Sequence, residues 1–189
     1  MSGGVLLSDA SSRVRVGCKG PAAEAWLAER DIAVPRGANS FSVDARGLLS
    51  ARLATSEFLF EAFDSEAAHA LAPIAHSLEV ADVPSGVYPV LRHDCVVELA
   101  GPATQELLLQ TCAVDLTPIE RDSSSEAGPV ILTSMIGVGV VIACRRSQQG
   151  ARFTVWSDPS FRHYFWHQLL AIATELGDGA HPDSLLGRV

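Results

Sequence analysis

His163 and His167 stand four residues apart, so a helix would carry both imidazoles on one face, the spacing from which a metal pair can be built. No third ligand follows at metal-site spacing. Tyr164, Phe165 and Trp166 lie between the two histidines and, with Phe161, suit an aromatic packing or partner-interface helix instead. His93, Asp94 and Cys95 bring base, acid and nucleophile types side by side, but adjacent residues of a strand point to opposite faces and cannot form a triad directly. Gly137-Val138-Gly139 is the sole G-x-G; it sits in a strand-like run with neither a third glycine nor a following helix. A dinucleotide loop needs that helix N-terminus to hold the pyrophosphate. Gly20-Pro21 and Gly101-Pro102 each precede a helix pattern, where a phosphate cradle would lie, yet proline removes an amide donor such a cradle would use. Both are expected to be tight structural turns.

The elements that must position these residues repeat. The stretch from Cys95 to Leu116, CVVELAGPATQELLLQTCAVDL, reads as a short strand, a Gly-Pro break and an apolar helix. RVRVGCKGPAAEAWLAERDIAVP, from Arg13 to Pro35, has the same plan. With Gly20 set on Gly101, Pro21 meets Pro102, Ala22 meets Ala103 and Leu27 meets Leu108 without a gap. After the first unit, Ser40 to Val43, Leu48 to Ala54 and Phe58 to Phe63 alternate in the manner of an antiparallel meander. Asp64 or Ser65 is placed to cap a helix over about Ala67–Ser77, which Pro73 should end or kink. Leu78 to Val83 reads as a strand. In the second half, Thr117-Pro118 closes the helix, and Glu120 to Gly128 reads as a polar loop. Strands follow at Pro129–Ser134, Val138–Cys144 and Arg152–Trp156. Asp158-Pro159 opens a final helix that Gly177 stops.

The expected fold is therefore α+β: a pseudo-duplicated strand–Gly-Pro–helix unit plus antiparallel strands, with helices packed on sheets. The expected organisation is a loose tail over residues 1–12 and one domain over residues 13–176. That domain is made of two similar halves at about 13–77 and 78–176, with a frayed tail over 177–189 following it.

At 189 residues and 48% hydrophobic, the chain can bury a full core, resting on aliphatic side chains because only 6% is aromatic. A net charge of −8 repels phosphate backbones and anionic lipid, which argues against nucleic acid or a membrane surface as partner. No apolar run approaches the roughly 20 residues of a membrane span, and MSGGVLLSDASSRVRV lacks the basic region of a secretory signal. The four cysteines, at 18, 95, 112 and 144, form no C-x-x-C pair, so they are expected as small buried hydrophobes in a reduced, cytoplasmic protein.

Four segments together resemble a known family. VRVGCKGPAAEAWL resembles the opening strand and Gly-Pro helix of the gamma subunit of heterotetrameric sarcosine oxidase. GLLSARLATSEFLF resembles that family's R-L-x-x-x-E-F-L segment at Arg52 to Leu59. VVELAGPATQELLLQTCAVDL is similar to its central element, with Cys112 and Asp115-Leu116 at the expected ending. ARFTVWSDPSFRHYFWHQLL resembles its closing strand and aromatic helix. The gamma subunits are related in fold to folate-binding aminomethyltransferases such as the glycine-cleavage T protein. YPVLRHDCVVEL is longer and more polar than the turn the family would place after Val83. The resemblance implies a non-catalytic assembly subunit docked on larger flavoprotein chains, with flavin and NAD held by those partners. The alternative is a stand-alone tetrahydrofolate-binding protein or one-carbon transferase, with Asp82 and Glu98 as the counterparts of its folate carboxylates. Where the chain stands alone, a homo-oligomer is the further expectation.

Overall fold

The computed structural model describes residues 4–148 and 150–177. Its first strand, β1 (Leu6–Asp9), lies inside the stretch expected to be a loose tail. Val5 and Leu7 are fully buried there, because three apolar residues suffice for one strand when a neighbouring sheet offers an edge. The expected tail over 177–189 falls almost wholly outside the described residues.

The chain divides into two compact units, one formed by Arg13–Arg92 and the other by residues 1–12 together with 93 onward. The expected boundary at residues 77 and 78 is thus displaced to Arg92. In the Arg13–Arg92 unit, β2 (Arg15–Lys19) leads through Gly20 and Pro21 into α1 (Ala23–Ala28). The meander follows as β3 (Ser40–Val43), β4 (Leu48–Ala54) and β5 (Glu57–Ala62), then α2 (Ser65–Glu79) and β6 (Tyr88–Val90). All pairings are antiparallel, in the order β3-β4-β5-β2-β6.

Asp64 caps α2 as its sequence position predicts, its carboxylate accepting from the Ala67 amide at 2.9 Å. The helix nevertheless runs past Pro73 to Glu79. Pro73 faces solvent, so water can take up the carbonyl it leaves without a partner, and Leu71, Ile74 and Leu78 hold the inner face against the sheet. The expected strand at 78–83 is instead the helix end. Ala81 adopts φ +58, and the Asp82 amide donates to the Ser77 carbonyl at 2.9 Å, the Schellman closure of an α-helix. Each buried leucine or isoleucine of this face contributes about 1.5–3 kcal/mol.

The other unit adds to β1 the strand β7 (Cys95–Ala100), which leads through Gly101 and Pro102 into α3 (Thr104–Thr111). Thr117-Pro118 opens rather than closes a helix, α4 (Thr117–Asp122), with proline in the first turn, where its missing amide costs nothing. The polar stretch after it runs directly into β8 (Ala127–Met135). β9 (Val138–Ser147) and β10 (Gly150–Ser157) complete the sheet, in the antiparallel order β1-β7-β10-β9-β8. Asp158 caps a short 3-10 turn at Pro159–Phe161, and α5 (Arg162–Glu175) ends before Gly177. The core of this unit gathers Val5, Leu7, Val97, Leu99, Leu107, Phe153, Phe165 and Leu169.

Among the described residues no helix is long and apolar enough to cross a membrane.

Candidate functional site

Glu98 sits in the middle of β7 with only 3% of its surface exposed. Strand pairing sets Thr154 of β10 directly opposite it. Arg145 Nη2 donates to Glu98 Oε1 at 3.2 Å, and Arg152 Nη1 to Oε2 at 3.0 Å. The Thr154 hydroxyl lies 3.5 Å from Oε1. A carboxylate buried this deeply persists because charge-assisted bonds replace its hydration. Both oxygens are committed to guanidinium groups, which suits an organising role better than that of a free base or a pterin clamp. Sequence reasoning missed the two arginines, which lie 47 and 54 residues from Glu98 in the chain and carry no local signal.

Asp82 belongs to the other unit and is exposed in the turn after α2. That unit has its own buried carboxylate: Glu61 on β5 is fully buried and pairs with Arg13 at 3.0 Å and Arg15 at 3.6 Å. Arg52, in the segment that carried the family resemblance, is also buried. Its guanidinium donates to the carbonyls of Pro35 at 2.6 Å and Thr55 at 3.0 Å, meets the Glu24 carboxylate at 2.5 Å and lies 5.0 Å from the centre of the Phe58 ring. This ties the loop before β3 to the meander.

The aromatic run of α5 splits by helical geometry. Phe165 and Trp166 are core residues at 0% and 6% exposure, which corrects their expected place on a partner surface. Phe161 and Tyr164 remain half exposed, and the Tyr164 hydroxyl donates to the Ile136 carbonyl at 3.0 Å. The turn bearing Phe161 begins at Asp158, whose carboxylate accepts from the Ser160 hydroxyl and amide, and these bonds hold its pKa below the ordinary value. Asp158 also borders an open hollow of about 420 Å³ lined by Leu132, Val141 and Trp156, with Leu132 half exposed. A second hollow of about 330 Å³ lies at the start of α3, bordered by Pro102, Gln105, Glu120 and Phe153; the Gln105 amide donates to the Glu120 carboxylate. Asp82 and Glu98 line neither hollow.

The thiols are poor nucleophiles. Burial pushes Cys18 and Cys144 up to about 12 and Cys112 to about 11, and it raises Cys95 as well. His163 and His167 are both exposed on α5. Among the described residues no three histidine, cysteine, aspartate or glutamate side chains form a group able to hold a metal. Gly20 and Gly101 do take up the tight turns expected of them, at φ +122 and +108.

Two antiparallel α+β units, each with a strand entering a helix through Gly-Pro, make up the described fold. Solved structures share it. A chain of heterotetrameric sarcosine oxidase from Corynebacterium sp. U-96, in complex with pyrrole 2-carboxylate, is similar with a TM-score of 0.69 and 22% identity, over 95% of this chain and 88% of that one. The glycine cleavage system aminomethyltransferase T from Bartonella henselae is similar with a TM-score of 0.63 and 17% identity. The likeness covers 95% of this chain but 48% of that one, so the chain spans about half the aminomethyltransferase. The fold expected from the sequence resemblance is the fold these likenesses show. No family model matches the chain, and no curated protein matches it.

Proposed function

We propose that the chain is a non-catalytic assembly subunit of a sarcosine oxidase-like flavoenzyme complex working in one-carbon metabolism. The observation that carries this reading is the fold likeness to a chain of a heterotetrameric sarcosine oxidase, with a TM-score of 0.69 over 95% of this chain and 88% of that one. The chemistry of the side chains agrees: the buried carboxylates are saturated by arginines and the thiols are held protonated. Phe161, Tyr164 and Leu132 are half-exposed apolar side chains that a docked partner would cover. The flavin and NAD belong to the larger partners. Co-expression with the large flavoprotein subunits of such an oxidase tests the reading. The chain should co-elute with them on gel filtration, and Phe161→Glu with Tyr164→Glu should weaken that association. A chain recovered alone beside fully assembled flavoprotein would overturn it.

The likeness to an aminomethyltransferase favours a second reading, a tetrahydrofolate-binding protein. Calorimetric titration with tetrahydrofolate separates the two. Micromolar binding by the isolated chain, lost in Asp82→Ala or Glu98→Ala, would support folate binding. No heat at millimolar ligand removes this reading.

The pseudo-duplication also belongs here as a proposal. Both units place a Gly-Pro strand beside the last strand of a three-stranded meander, and both end that meander in a long helix. Read as copies, β2 corresponds to β7, β5 to β10 and α2 to α5. The short strand just before each Gly-Pro strand is exchanged: β1 pairs with β7, and β6 pairs with β2.

A further inference from the structure

The N-terminal strand has an unusual position in the chain. Residues 1–12 group with the unit that begins at residue 93, although the very next residue, Arg13, opens the other unit. β1 therefore completes a sheet from which it is separated by the entire Arg13–Arg92 unit. It runs antiparallel to β7 with Leu6 opposite Ala100 and Asp9 opposite Val97, and the Ala10 amide extends the ladder to the Val96 carbonyl at 2.9 Å. Val5 and Leu7 enter the core of that unit at 0% exposure.

The seat for this segment is built at both ends. At one end Gly101, at φ +108, lets the Gly4 carbonyl come close, and a Cβ there would stand 2.5 Å from that oxygen. At the other end Arg162 Nη2 donates to Asp9 Oδ2 at 2.8 Å, and the Val96 amide donates to the Ser11 hydroxyl at 3.0 Å. Beyond Ser12 the chain is anchored elsewhere: the Ala62 amide donates to the Val14 carbonyl, and Arg13 pairs with Glu61. Ser12 thus links two anchored segments, and the strap before it is held on β7 by noncovalent contacts alone.

We propose that the β7 edge is a strand-acceptor site for residues 4–11, and that two copies of this chain exchange these segments to form a strand-swapped dimer. The acceptor reads three features: apolar side chains at positions 5 and 7, which share one face of the strand, a carboxylate at position 9 for Arg162, and a carbonyl that fits over Gly101. Any extended segment pairs with an exposed edge through its backbone, and these three points select this one. The partner copy carries the identical segment, so each contact of residues 4–11 is reproduced in the swapped form and only the link at Ser12 has to open.

A fluorescent peptide of residues 4–12 tests the acceptor on the full chain. In the wild-type chain the resident strap competes, so apparent affinity falls by the fraction of open sites. Leu7→Asp in the full chain weakens its own strap and leaves the acceptor intact, so it should take up the peptide at least about tenfold more tightly than wild type, read by anisotropy. A peptide carrying the same Leu7→Asp change should bind neither chain. Sedimentation of the wild-type chain should show a dimer growing with concentration and absent from the Leu7→Asp chain. Should Leu7→Asp fail to fold, Asp9→Ala keeps both apolar anchors and should give a smaller gain in uptake. A folded variant that takes up no more peptide than wild type, or a wild-type dimer that survives Leu7→Asp, overturns the proposal.

Discussion

Arg162 and Asp9 meet across 153 residues of chain, the first residue of α5 donating to the last residue of β1 at 2.8 Å. Asp9 also accepts from the Ser11 amide at 2.9 Å through its other oxygen, so one carboxylate fixes both the strand end and the turn that follows. The Arg162 side chain is 43% exposed and that of Asp9 14%, which places the pair between a surface and a buried salt bridge. Asp9→Ala should lower stability by about 1 kcal/mol. Urea denaturation of Asp9→Ala, Arg162→Ala and the double variant should give a coupling of about 0.5–1 kcal/mol. Additive single effects would mean that the pair contributes nothing.

Glu98→Ala should cost more. It leaves two guanidinium groups facing a deep position that the carboxylate neutralised, a change worth about 3–5 kcal/mol when both partners are buried. Arg152 is 41% exposed and Arg145 22%, so both can turn partly to water. The expected loss in chemical denaturation is therefore nearer about 2–3 kcal/mol. A loss below about 0.5 kcal/mol would show that the cluster is a surface feature.

The two Gly-Pro turns can be compared with a glycine that has no such task. Gly20→Ala sets a Cβ 2.2 Å from the Gly86 carbonyl oxygen at φ +122, and Gly101→Ala sets one 2.5 Å from the Gly4 carbonyl oxygen at φ +108. Backbone strain and steric displacement together should cost about 2–3 kcal/mol each. Gly139→Ala on β9 meets nothing within 4 Å, and its effect should stay within about 0.5 kcal/mol. Thermal melts of the three variants give the order directly.

The thiols predict an alkaline limit. Cys18 and Cys144 are raised by burial from 9.0 to about 12, so between these values the unfolded chain has lost thiol protons that the folded chain keeps. Stability from these groups is fully present below pH 9 and is lost as pH rises towards 12. Denaturation midpoints should fall through that window. Cys18→Ala with Cys144→Ala should flatten the fall while lowering stability at neutral pH. The native chain at pH 8 should react slowly with a thiol reagent and rapidly once unfolded.

Short-range rules made much of the fold legible in the sequence alone. The Gly-Pro turns, the Asp64 cap, the meander and the stop at Gly177 depend on steric limits and hydrogen bonds that close within a few residues, and the structure has all of them. The α+β class followed from the same local periods, and the ordered segments together pointed to the fold. Tertiary structure decided what periodicity leaves open. Leu78 alternates with its neighbours as a strand would, yet it serves as the last inward contact of α2, because burial beside Leu71 and Ile74 outweighs the local pattern. Phe165 and Trp166 look the same in sequence as Phe161 and Tyr164, and only the packing of one face of α5 into the core sorts buried from exposed. β1 and β6 show most plainly why the rest was hidden: a strand's partner is chosen by edges and registers many residues away, and no local residue type names it. The partners of Glu98 were hidden for that reason too, since β10 and β9 bring its arginines to it only once the sheet is assembled.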